Sequence, residues 1–206
     1  MQRDLSNALD QISEIRRQMV RSQVFRGYRP HTTALTGVLA IVAAMLQPVL
    51  VPNPWRNLPG YLFLWGGLAL FSVGLFAAAL INRCRRLGSP LQNERTREAV
   101  ERFIPSLVAG LLITIVFFRF ITDQMWMMPG VWAICFSLGM FASRTLLPRF
   151  ITVVAGYYLM AGCMCLILTH PTVSQFSPWA MGLTFGVGQL LSAGVLYWNL
   201  ERRNAT

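Results

Sequence analysis

Six long apolar stretches constrain this chain more than anything else in it. They run approximately Thr33–Val51, Gly60–Ile81, Ile104–Ile121, Met125–Leu146, Ile151–Thr169 and Trp179–Leu200. A hydrocarbon core of ~30 Å is crossed by about 20 helical residues, and each stretch is close to that length. Backbone in lipid must satisfy its own N–H and C=O groups, so only helices and closed barrels can cross. The stretches lack the period-two alternation of barrel strands and are too long to be strands. The expected fold is an all-α membrane protein of six transmembrane helices. Very short links, "TDQ" after the third stretch and "LPRF" after the fourth, make sequential neighbours antiparallel, as three hairpins.

Charge supports the same reading. Only 13% of residues are charged and 54% are hydrophobic, whereas a soluble domain carries roughly a quarter charged residues. The net charge of +10 raises the question of nucleic acid. The basic residues, however, sit beside apolar segments, so membrane topology explains them better and no direct nucleic-acid contact is expected.

All eighteen basic residues are arginine, and their placement orients the chain. Sixteen lie before the first stretch, in the second and fourth connections, and in the tail; only Arg56 and Arg119 fall on the opposite side. The positive-inside rule then puts both termini in the cytoplasm. The outer loops carry different chemistry. Trp55, Trp126 and Trp179 stand where an aromatic belt is expected. Pro59, Pro129 and Pro178 each stand at the start of an inward-going helix, where a missing N–H does no harm.

This gives three regions: residues 1–31, a cytoplasmic amphipathic helix and basic linker; 32–200, the six-helix transmembrane domain with a cytoplasmic helical connection at 83–103; and 201–206, a cytoplasmic tail. In the first region Leu5, Ala8, Ile12, Ile15 and Met19 recur at 3–4 spacing, the mark of an amphipathic helix. Two roles compete for it. Arg16, Arg17, Arg21, Arg26 and Arg29 suit contact with anionic lipid headgroups. The stripe of Leu5, Ile12, Ile15 and Met19 suits docking on a cytoplasmic protein or a second copy of this chain. Leaflet attachment is the simpler of the two. In the second connection, Ser89 can cap a helix with Pro90 at its first position, and Glu98 with Arg102 forms an i, i+4 pair.

Catalysis at membrane depth needs ionisable groups, which are costly to keep there. Arg119 and Arg144 are the charges inside these stretches, each two residues from an end, and an interfacial pair with Asp123 accounts for Arg119. No HExxH, GxSxG or P-loop pattern occurs, so no enzyme activity, cofactor or metal is expected. Cys163 and Cys165 lie two apart on a helix and point in different directions, which prevents them from clamping one ion. Ser106, Gly110 and Thr114 form a small-residue row; Gly182 and Gly186 with Leu190, and Gly188 with Ser192, form others. Gln189, in the middle of the last stretch, either packs the helices or lines a substrate path.

Several segments carry a resemblance: "EIRRQMVRSQVFRGYRP" followed by "ALTGVLAIVAAMLQP", then "ERFIPSLVAGLL", and "SPWAMGLTFGVGQLLSAGVLYWNLE". Together they resemble a family of hypothetical bacterial integral membrane proteins whose genes often stand beside one for a winged-helix transcriptional regulator. The resemblance covers nearly the whole chain and implies a bacterial inner membrane location and a cytoplasmic partner, with such a regulator as the candidate. It ties no residue to a reaction. The leading expectation is a non-enzymatic membrane protein that couples the bilayer to a cytoplasmic partner. The alternative is a small transporter or permease component.

Overall fold

The computed structural model describes residues 30–87, 90–144, 150–168 and 176–201. Among them all regular structure is helical. Helix α1 is Pro30–Leu50, α2 is Leu58–Leu87 and α3 is Pro90–Phe120. A 3₁₀ turn, Thr122–Met127, leads into α4, Met128–Ala142, and α5 follows as Ile151–Leu168. The last helix, α6, opens as Pro178–Met181, widens into a π-helix over Gly182–Val187 and returns to α geometry over Gly188–Glu201. Six helices are long and apolar enough to cross a membrane, and the chain is read as a multi-pass membrane protein.

Local chemistry sets the helix ends. Asn57 accepts the Gly60 N–H at 3.0 Å, an N-cap that satisfies one of the donors left open at the start of α2. Pro59 lies in the first turn of α2, Pro129 in that of α4 and Pro178 in that of α6, where no intrahelical N–H is needed. The Arg102–Glu98 pair forms as its spacing suggests, and Arg97 makes a second such pair with Glu101 at 2.6 Å. The Arg119–Asp123 pair does not form. The helix ends at Phe120, and the chain turns through Ile121 (φ −135°) into the 3₁₀ segment, so the two side chains lose their i, i+4 relation.

Close packing uses glycine wherever two helices touch most intimately. Between α4 and α5, a Cβ on Gly130 would stand 2.8 Å from the Gly162 carbonyl, and one on Gly162 2.9 Å from the Gly130 carbonyl. Ser137 donates to the Ala155 carbonyl at 2.7 Å across the same contact. The Ser106–Gly110–Thr114 row of α3 faces α4. Ser106 abuts Gly139, Gly110 lies over Cys135, and the Trp132 indole donates to Thr114 Oγ1 at 2.7 Å.

The packing is uneven. Helix α1 lies against α6, and α4 against both α3 and α5. Helix α2 joins the rest chiefly through Leu58, Tyr61 and Trp65 near its first turns; nothing from Gly66 to Asn82 is fully buried. Only 6% of the spanning window is buried in α2 and in α3. Both helices also outrun the hydrocarbon core. At 1.5 Å per residue, 30 and 31 residues reach about 45 Å, well beyond the ~30 Å core.

Candidate functional site: the seam between the first and last helices

One face of α1 carries Thr33, Thr36, Gly37, Ala40, Ala43, Ala44 and Gln47, all buried. Its small residues let α6 come close. A Cβ on Gly37 would lie 2.9 Å from the Gly186 carbonyl, and one on Gly182 would lie 2.6 Å from Ala44 Cβ. No larger residue fits these positions without moving a helix.

At one end of the seam Gln47 makes two bonds. Its Oε1 accepts from the Trp65 indole at 2.9 Å, and its Nε2 donates to the Phe176 carbonyl at 3.0 Å. Phe176 has φ of 58°, a left-handed conformation that costs a non-glycine residue of order 1 kcal/mol. Its ring meets Trp55 and Tyr61 edge-on at 5.0 and 4.9 Å, so buried aromatic contact and the Gln47 bond hold it there.

Further along, the π-helix faces α5. The wider turn shifts the backbone ladder, and carbonyls released from it need other partners. Tyr157 donates to the Leu183 carbonyl at 2.8 Å. Cys165 Sγ lies 3.7 Å from the Ala180 carbonyl and 3.4 Å from Thr184 Oγ1. Beyond the π segment, Tyr158 seats its ring against Gly188, while Ser192 donates to the Gly188 carbonyl at 2.9 Å. The hydroxyls of Tyr61 and Tyr158 are buried without a partner.

Gln189 sits one residue past this point, with its Cβ facing Gly37. It is half-buried, and among the described residues no hydrogen bond involves its amide. Leu5, Ile12, Ile15 and Met19, and Arg16, Arg17, Arg21, Arg26 and Arg29, lie outside the described residues. So do Ser89 and His170. Cys163 is exposed while Cys165 turns toward α6, which separates the two thiols. Met125 and Met128 are buried around the 3₁₀ turn. Trp126 is 7% exposed and packs inward, while Trp55 and Trp179 are 37% and 49% exposed.

Sequence reasoning passed over Gln47, Tyr61, Tyr158 and Phe176. A glutamine six residues before "NPW" in an otherwise apolar helix was the available signal for the first. The buried polar side chains described along the seam are amide, hydroxyl and thiol groups. They can bridge helices or bind a neutral polar solute, and they supply no charge for acid–base chemistry. Compared with protein-family models, curated proteins and solved structures, the chain matches none.

Proposed function

We propose that this is a non-enzymatic protein of the bacterial cytoplasmic membrane that couples the bilayer to a cytoplasmic protein. Both termini lie on the cytoplasmic side, the helices cross as three hairpins, and residues 1–31 supply an amphipathic helix. The observation that carries the reading is the length of α2 and α3. Both continue as helix past their apolar spans, through a segment that holds Arg83, Arg85, Arg86, Arg95, Arg97 and Arg102. A basic helical projection beside a basic amphipathic terminus makes a docking face, and arginine there also favours anionic headgroups. A winged-helix regulator is the candidate partner.

The polar groups between helices support a scaffold rather than a conduit. Gln47, Ser137, Ser143 and Thr114 are engaged in contacts from one helix to another. The transporter reading draws on one observation, the unpartnered hydroxyls of Tyr61 and Tyr158 on either side of the π-helix. Mild-detergent recovery with and without residues 1–26, read by mass spectrometry, decides the matter. A partner present with the full chain and absent from the truncated one supports coupling. Identical recovery from both rejects it.

A further inference from the structure

Helix α6 changes its winding partway along its span, being π over Gly182–Val187 and α on both sides. A π turn takes in one more residue than an α turn, so these six residues advance about as far as five α residues would. Side chains of α5 hold the backbone there. The Tyr157 hydroxyl donates to the Leu183 carbonyl at 2.8 Å, and the Cys165 thiol lies 3.7 Å from that of Ala180. The thiol is a weak donor, and the tyrosine bond lies at the exposed surface. The outer end of the helix is anchored separately, since Gln47 holds the Phe176 carbonyl.

We propose that the π segment is a register switch whose second state is a continuous α-helix, with bilayer thickness setting the balance between the two. The switch deepens the coupling reading above and rests on it only for its output. With the outer end held, conversion to α moves every residue beyond the segment one position along, by about 100° and 1.5 Å toward the Trp198 end. Val187 then takes the place of Gly188 under the Tyr158 ring, Gln189 the exposed place of Leu190, and Leu191 the buried place of Ser192.

Opposing effects keep the two states close. A valine where even a Cβ collides with the Tyr158 ring, and an amide turned toward lipid, both favour π, the state observed. Continuous α geometry restores the ordinary ladder and frees its carbonyls from dependence on α5. Glycine at 182, 186 and 188 keeps the surface that must slide small. The α state is longer by about 1.5 Å. A thicker hydrocarbon core favours the longer span, by about twofold for that difference. The bilayer thus acts on α6 along its length, and the cytoplasmic half answers by rotating.

Leu183 supplies the lock. It is 54% exposed, and deleting it leaves five residues for the same advance, so α winding runs through with the later register unchanged. The experiment uses the full chain, methyl-labelled at valine and leucine, in nanodiscs of dimyristoleoyl or dierucoyl phosphatidylcholine, read by methyl relaxation dispersion. Val187 and Leu191 should exchange between two states while Val38 and Val42, on the exposed side of α1, do not. The minor population should be about twofold higher in the longer lipid. Tyr157→Phe should raise it about threefold in either lipid, by removing one hydrogen bond from the π state. Deletion of Leu183 should quench the exchange.

Absence of exchange at Val187 and Leu191 overturns the proposal, as do equal populations in the two lipids. Exchange that persists after deletion of Leu183 also overturns it, because the motion then has another source. If the deletion variant does not fold, a Tyr157→Phe population equal to that of the wild type is decisive against the switch. The readout needs no partner. Exchange that follows thickness in a chain that recovers no cytoplasmic protein supports the switch and rejects the coupling.

Discussion

Gln47 of α1 and Trp65 of α2 share a hydrogen bond of 2.9 Å at a site where they are 1% and 2% exposed. It is the main polar tie between α2 and the rest of the bundle, because α2 is scarcely buried beyond Trp65. The same amide fixes the Phe176 carbonyl, so one side chain holds two helices and the turn before α6 together.

Gln47→Leu should therefore destabilise the protein by about 1–2 kcal/mol, since interhelical bonds in bilayers average ~0.6 kcal/mol with a maximum near 1.7 and two are lost. Gln189→Leu should stay within about 0.5 kcal/mol of the wild type, because that amide makes no hydrogen bond to lose. Unfolding in mixed detergent compares the two. A double-mutant cycle of Gln47→Leu with Trp65→Phe should return a coupling of at least about 0.5 kcal/mol.

Glycines in this chain divide into two kinds with opposite outcomes. Gly37→Val drives a side chain into the Gly186 carbonyl, which only movement of α6 can relieve, and should destabilise by about 2 kcal/mol or more. Gly67 meets nothing within 4 Å, so Gly67→Ala should be neutral or stabilise by up to about 1 kcal/mol through helix propensity. Thermal stability in detergent separates them. Similar losses from both would mean that α2 packs against more than the bundle itself.

Tyr61→Phe and Tyr158→Phe remove hydroxyls that are buried and unpartnered. Deleting such a group leaves nothing unpaired and relieves its desolvation, so each change should be neutral or slightly stabilising. Destabilisation beyond about 2 kcal/mol would reveal a bound partner for the hydroxyl. That result would shift weight toward a solute path.

The six spans were legible because hydropathy and length act on whole segments, and no tertiary contact can overrule the need to satisfy backbone in lipid. The helix starts at Pro59, Pro129 and Pro178 were legible because a missing N–H is a local property. The row of Ser106, Gly110 and Thr114 was visible as a row, but only three-dimensional packing assigns it to α4. The Arg119–Asp123 pair failed because i, i+4 spacing implies proximity only while the helix continues, and this one ends between them. Gln47 was missed for a related reason. Its importance comes from Trp65 and Phe176, 18 and 129 residues away in sequence, and spacing within one segment carries no trace of either.

Topology makes a direct prediction. Reporter fusions at Thr206 and at Asn53, in the loop between α1 and α2, should give opposite signals. Equal signals would reject the five crossings expected between that loop and the tail.

The N-terminal segment separates lipid attachment from protein docking. Its arginines would each add about 1 kcal/mol of attraction close to an anionic surface. That attraction is indifferent to the spacing of Ile12, Ile15 and Met19, whereas a docking seam requires it. The amphipathic helix proposed for this segment would be marginal alone at such a length and would gain order when a partner covers its stripe. Ile12→Ser with Ile15→Ser and Met19→Ser should therefore abolish recovery of a cytoplasmic partner while the protein remains in the membrane, held by its six spans. Arg16→Gln with Arg17→Gln and Arg21→Gln should weaken binding to anionic vesicles and leave partner recovery nearly unchanged. Recovery by the serine variant equal to that of the wild type would limit the segment to setting topology and touching lipid.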